Sequence, residues 1–157
     1  MDIKIRKGVK SDLPAVLDLI KELADFERAL NEVTVSLEDL EHDGFGNHPY
    51  YWFIVAEKEG EIIGLSFYFI RYSTWKGRFL FLEDFVVKES FRNKGVGALL
   101  FEETIRIAKE LDVKGMTWQV LDWNKNAIRF YEKYNSNIST EWYNGKLTYE
   151  QLKQFTL

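Results

Sequence analysis

The spacing of apolar and polar positions changes several times along the chain, and each change marks an element. "DIKIRKGV", residues 2–9, alternates in the manner of a half-buried strand. From Asp12 the period lengthens. Leu13, Val16, Leu17, Ile20, Leu23 and Ala24 then fall on one side of a helix with Pro14 in its first turn. A shorter helix is predicted over "SLEDLEHDGF", closed by "GFGNHP". "YYWFIVAEKEGEIIGLSFYFIRY" reads as a hairpin turning near Glu59-Gly60, and "RFLFLEDFVV" as a further strand joined through "STWKG". After Gly97 the helical period returns, with Leu100, Thr104, Ile107, Ala108 and Leu111 on one side. "GMTWQVLDW" predicts a buried strand and "NKNAIRFYEKY" a short helix starting at Asn124. Asn144-Gly145 within "WYNGKLTYE" predicts a terminal hairpin. The order is strand, helix, helix, strands, helix, strand, helix, strand, without repeat or linker. It predicts a single mixed α/β layer domain over residues 1–157.

Composition narrows the class. The chain has 157 residues, of which 46% are hydrophobic and 16% aromatic, enough for one densely packed core. There is no cysteine, hence no disulfide or thiolate chemistry, and a reducing compartment such as the cytoplasm is expected. With two histidines and no cysteine a structural zinc site lacks ligands, so no metal is expected. The net charge of −4 argues against nucleic acid as partner and suits a cationic one. No apolar run approaches a membrane span, and "MDIKIRKGVK" has no signal-peptide core.

The most informative stretch is "EDFVVKESFRNKGVGALLF", residues 83–101, where a strand ends in two carboxylates and a glycine pair with two cations opens a helix. Backbone N–H groups at a glycine-rich helix start converge on phosphate oxygens, and Arg92 and Lys94 would add charge-assisted contacts. The spacing is neither that of a P-loop nor G-x-G-x-x-G. By itself R-x-x-G-x-G also suits an ordinary helix start with two solvated cations. Glu83 and Asp84 equally suit the end of an exposed strand. Ala127, Ile128 and Tyr131 equally suit a core stripe.

R-x-x-G-x-G after a strand and before an amphipathic helix, in a chain of this length and order, resembles the GNAT superfamily of N-acetyltransferases. "LIKELADFE", "DGFGNHPYYWFIVAE", "YSTWKGRFLFLEDF" and "WNKNAIRFYEKY" resemble blocks of the diamine acetyltransferases, the spermidine/spermine N-acetyltransferase family. The resemblance runs from about Ile5 to Trp142. It implies a mixed, mostly antiparallel twisted sheet with helices on both faces and a splayed parallel strand pair. The cosubstrate it implies is acetyl-CoA, with the pyrophosphate at Arg92, Asn93, Lys94, Gly95, Val96, Gly97 and Ala98. A bulge in the strand of Glu83 would free the N–H groups of Phe85 and Val87, flanking Val86, for the acetyl carbonyl and the pantetheine arm. Asn124, Ala127, Tyr131 and Lys133 would complete the cofactor contacts.

Acetyl transfer to an alkyl amine needs a neutral amine, and at a pKa of about 10.4 almost none is neutral at pH 7. By resemblance Glu83 is the base, direct or through water, and its apolar neighbours Phe81, Leu82 and Phe85 would raise its pKa by desolvation. Tyr131 matches the acid that protonates the leaving thiolate. The acceptor would meet Phe26, Glu27, Trp75, Asp84, Thr117, Trp118, Gln119 and Glu141, with Trp142 closing the pocket. Ammonium groups pair with carboxylates and lie on tryptophan faces. A homodimer is also implied. The chain departs from the family at Asn93, where glycine is usual, at Asn135-Ser136 in place of Gly-Ala, and by missing residues before Trp142. By resemblance the acceptor expected first is a small diamine or polyamine, and the last of these departures falls in the region that selects it. A lysine-like, antibiotic or peptide amine comes second, and a non-catalytic acetyl-CoA-binding module third. Arg71 and Arg78 keep the amino-acid-like acceptor in view.

Overall fold

The computed structural model describes residues 2–156, which divide into two compact units, one ending at Gln119 and the other beginning at Val120. The first unit contains β1 (Lys4–Lys7), α1 (Leu13–Phe26), α2 (Leu37–Phe45), β2 (Trp52–Lys58), β3 (Glu61–Ser73), β4 (Gly77–Val87), α3 (Val96–Glu110) and β5 (Met116–Trp118). Its five strands form one sheet in sequence order, antiparallel except for the β4–β5 pair.

Alternation along β3 assigns the two faces. Leu65 joins Leu13, Val16 and Leu19 of α1, Leu40 of α2, and Phe53, Val55 and Val86 in one core. Its neighbour Ser66 points the other way, where its hydroxyl pairs with that of Thr104 on α3 at 2.7 Å. Ile54, Ala56 and Ile63 meet Val96 and Leu100 on that second face. Helices therefore cover both faces, as expected. Gly64 lies under α3, where a Cβ would come within 2.8 Å of Leu100.

Local chemistry sets the element ends. Asp12 holds the entrance to α1. Its carboxylate accepts the N–H of Val9 at 2.8 Å and both terminal nitrogens of Arg6 at 2.8 and 2.9 Å, while Arg6 Nε reaches Glu57 at 2.7 Å. The β2–β3 turn falls at Glu59-Gly60 as predicted, with φ of 50° and 83° at the two residues, the left-handed pair that suits a tight hairpin.

The second unit contains α4 (Lys125–Glu132) and α5 (Tyr149–Gln154). Two sequence expectations need correction here. The strand read over "GMTWQVLDW" is only three residues long and half-buried, because β5 is an edge strand paired on one side alone. No hairpin forms around Asn144-Gly145. The flanking Trp142, Tyr143 and Leu147 are all exposed, so no buried face selects a strand register, and Thr148 and Gln151 close a capping box that starts α5 instead.

Candidate active site

The site is built around an irregularity in β4. Across β3, Phe67 faces Asp84 and Tyr68 faces Leu82, so Glu83 is an extra residue, a β-bulge. Asp84 consequently falls opposite Phe67, and on the same side as Val86 of the α1 core. The bulge interrupts the alternation that would otherwise point these two consecutive strand residues to opposite faces. Pairing with β5 stops at Leu82–Trp118, directly before the bulge, while β4 runs on to Val87. The parallel ladder ends there.

The N–H of Lys88 donates to Ile63 of β3 at 2.9 Å. By alternation the N–H groups of Phe85 and Val87 point away from β3, to the side where β4 has lost its parallel neighbour. Val86 between them is buried in the α1 core, and the ring of Phe85 meets Phe101 edge-on at 5.7 Å.

Glu83 is exposed and Asp84 half-buried, so desolvation falls on the second carboxylate of the pair, not the first as expected. Burial pushes Asp84 up to about 7, with the charges of Glu83 and Glu27 adding to it. Burial also raises Glu27, which directly follows α1. Three carboxylates therefore share one field, and among the described residues no lysine or arginine pairs with any of them. No His/Cys/Asp/Glu group among the described residues could hold a metal ion. A half-buried carboxylate that titrates near neutrality is suited to hold an ammonium and accept its proton.

Beyond β4 a short 3₁₀ turn, Glu89–Phe91, leads to Arg92 and the glycine loop. Gly95 caps α3 with φ of 84° and no side-chain bond to the helix start. A Cβ there would meet nothing within 4 Å, so the left-handed backbone and not crowding asks for glycine. The first N–H groups of α3, at Val96, Gly97 and Ala98, precede the first intrahelical bond, which Leu99 donates to Gly95 at 3.2 Å. Asn93, where the family has glycine, has φ of 59°, a conformation asparagine tolerates better than most residues. The two cations fold back on the loop. Lys94 Nζ donates to the Ser90 carbonyl at 2.9 Å, and Arg92 Nε donates to the Val87 carbonyl at 2.9 Å.

Other acceptor-side candidates are dispersed. Phe26, half-exposed at the end of α1, carries the Arg92 guanidinium 5.5 Å above its ring. Thr117 and Trp118 pair with Phe81 and Leu82 beside the bulge, Trp118 edge-on to Phe101, and Thr117 Oγ1 is buried without a hydrogen-bond partner. Gln119 is exposed just beyond β5. Trp75 is 88% exposed in the β3–β4 turn, and roughly 20 Å of strand separates that turn from the bulge. It is not brought to the carboxylates of its own chain. Arg78 donates to the Leu111 carbonyl at 3.0 Å, whereas Arg71 lies 5.7 Å above the ring of Phe81.

In the second unit Asn124 caps α4, its side chain accepting the N–H of Ala127 at 3.3 Å. Tyr131 is buried, with its ring edge-on to Phe130 and its carbonyl taking the Ser136 hydroxyl at 2.7 Å. Lys133 caps the helix, and Asn135, where the family has glycine, takes φ of 57°, a left-handed conformation that asparagine tolerates. Glu141 is exposed, and Trp142 is 81% exposed. One residue escaped the sequence reading altogether. Glu22 of α1 lies 3.6 Å from Arg92 and accepts the N–H of Glu89 at 3.3 Å. Its only signal was its place one turn before Phe26.

The model of the acetyltransferase (GNAT) family matches residues 16–135. The thialysine N-epsilon-acetyltransferase of Bos taurus is 36% identical over 147 residues, which cover 88% of this chain and 86% of that protein. Spermidine/spermine N(1)-acetyltransferase-like protein 1 of Homo sapiens is 31% identical over 95% of this chain, a stretch that is 23% of its own length. An aminoglycoside acetyltransferase from an uncultured soil metagenomic sample, solved with trehalose, superposes with a TM-score of 0.78 over 93% of this chain and 97% of its own. At 19% identity that likeness is one of fold.

Proposed function

The chain belongs to the GNAT family and is an N-acetyltransferase, and we propose that it acetylates the terminal amine of a small aliphatic acceptor from acetyl-CoA. The observation that carries this reading is the β4 bulge, which gathers Glu83 and Asp84 with Glu27 where the β4–β5 ladder ends. The family match spans both compact units, which supports one catalytic domain.

Acetyl-CoA supplies a thioester whose C–S bond is exchanged for a C–N bond. The N–H groups of Val96, Gly97 and Ala98 bind its pyrophosphate, and Lys94 turns from the Ser90 carbonyl to add charge. The N–H groups of Phe85 and Val87 hold the acetyl carbonyl and the arm above it. Glu83, facing solvent, meets the incoming ammonium, which gives up one proton, through water, to the Glu83–Asp84 pair. The neutral nitrogen attacks the carbonyl, and the Tyr131 phenol protonates the departing thiolate. The surplus proton on the new amide nitrogen restores the phenol. Asn124, Ala127 and Lys133 belong to the cosubstrate side.

For the acceptor, the relatives named as thialysine acetyltransferases favour an amino-acid-like amine over the linear polyamine expected first. Arg71 supports that order, since its guanidinium over Phe81 forms no ion pair among the described residues and suits an acceptor carboxylate. A second reading, a diamine or polyamine, is favoured by three carboxylates with no cation paired to them. A cytoplasmic location is retained from the absence of cysteine, and a homodimer, testable by light scattering, from the family resemblance.

The test is thiol release from acetyl-CoA against thialysine, lysine, putrescine, spermidine, spermine and a peptide amine. Turnover of the first two alone supports the amino-acid-like acceptor, and turnover of the linear amines alone supports the second reading. No turnover, with acetyl-CoA still bound, removes the small-amine proposal. Tyr131→Phe should lower kcat by about 10- to 100-fold and leave acetyl-CoA affinity within about twofold; an unchanged kcat removes Tyr131 as the acid.

A further inference from the structure

We propose that Arg92, the arginine of the glycine motif, is a positioning residue that ties the acceptor-side end of α1 to the end of β4, and is not a phosphate ligand. Nε donates to the carbonyl of Val87, the last residue of β4, at 2.9 Å. The guanidinium carbon lies over the ring of Phe26, the last residue of α1, at 5.5 Å. One terminal nitrogen faces Glu22 of α1 at 3.6 Å, and the same carboxylate oxygen accepts the N–H of Glu89 at 3.3 Å. Arg92 therefore touches a strand end and a helix end, and Glu22 closes a ring from α1 back to the 3₁₀ turn.

A planar cation with several donors suits such a joint, since it stacks, donates in its plane and pairs at once. A lysine could keep the charge and lose the other two functions. The Val87 carbonyl points away from β3, so no strand satisfies it, and Arg92 occupies a place that a sheet neighbour would otherwise fill. Glu27 follows Phe26 directly and acts on the charge of Asp84. Slackening the joint moves Phe26 and Glu27 with respect to Glu83 and Asp84. The glycine loop itself keeps its own determinants, the left-handed backbone of Asn93 and Gly95. The proposal rests on the reading of Glu27, Glu83 and Asp84 as the amine side of the site.

Arg92→Lys and Glu22→Gln are compared with wild type in three measurements: acetyl-CoA affinity by titration calorimetry, KM and kcat for the best amine, and amide hydrogen exchange without ligands. Both variants should raise the amine KM about three- to tenfold while acetyl-CoA Kd stays within about twofold. The double variant should be little worse than either single change, because both open one ring. Exchange should rise together at the end of α1 and over residues 88–92. Arg92→Lys weakening acetyl-CoA with the amine KM unchanged would overturn the proposal in favour of a phosphate contact. Unchanged exchange at both places would overturn it whatever the acceptor is. Faster exchange with an unchanged amine KM would also overturn it, leaving the carboxylate site standing. If wild type turns over no amine, the functional reading fails, and the exchange data alone decide the joint.

Discussion

Helix α1 has a charged cluster at each end, and the two are handled in opposite ways. At its start, Asp12 is buried yet receives the Arg6 guanidinium in two bonds and the Val9 N–H, and Arg6 holds Glu57 as well. At its end, Glu27 shares its surroundings with Glu83 and Asp84, and no cation among the described residues pairs with them. The bond from Arg6 holds the Asp12 carboxyl below the ordinary carboxylate range. Desolvation drives Asp84 the other way, to about 7, and raises Glu27. The α1 dipole runs in the same sense, favouring an anion at the start and opposing one at the end. Burial alone therefore separates neither cluster from the other. What separates them is whether a partner was supplied, and the unsupplied cluster is the one left with something to bind.

The comparison breaks most visibly in activity. Replacing both site carboxylates, Glu83→Gln with Asp84→Asn, should reduce kcat/KM by about 100- to 1,000-fold with the circular dichroism unchanged. A loss below about tenfold would remove the pair as the proton acceptor. The matching change at the start of α1, Asp12→Ala, should cost about 2–3 kcal/mol of stability in urea unfolding at pH 7 and leave kcat of the folded protein intact. An effect on kcat without loss of stability would erase the division of labour between the two ends.

A smaller effect sharpens the contrast through pH. The folded-state pKa of Asp12 is depressed, so its stabilisation is present above about pH 4 and is lost as the pH falls through the folded value. That of Asp84 is raised, so its contribution is fully present below about pH 4 and is lost as the pH rises through about 7. Asp84→Asn should therefore stabilise the protein by about 2 kcal/mol at pH 8 and have no effect at pH 3. Equal effects at both pH values would mean that the buried carboxylate is not the group titrating. The smallest effect belongs to a third arrangement, Arg106 with Glu103 and Glu110 on the exposed side of α3. Glu110→Gln there should leave the melting temperature unchanged within error, since solvent screens such pairs.

Much of this arrangement was legible in advance. Apolar periods placed α1 and α3 on the sheet, and Glu59-Gly60 placed the first hairpin turn. Asn93 and Asn135 stand where the family has glycine, and both take the left-handed backbone that asparagine tolerates. The bulge at Glu83 came from the family resemblance, since alternation by itself would have put the two carboxylates on opposite faces. The Asn144-Gly145 signal misled because a turn dipeptide specifies a hairpin only when a buried face holds its strands, and residues 137–148 have none.

Local chemistry, then, belongs to the chain's own order. Element type, caps, turn residues and the uncapped start of α3 follow from neighbours within a few positions, because backbone sterics and the helical and strand periods act over that range. Burial and partnership do not. Whether Glu83 or Asp84 loses its water, whether Arg92 meets a phosphate or Phe26 and Glu22, and whether Arg6 finds Glu57 all turn on distances across the sheet. Desolvation and charge pairing act through space, among residues that β-pairing and packing bring together from far apart in the sequence.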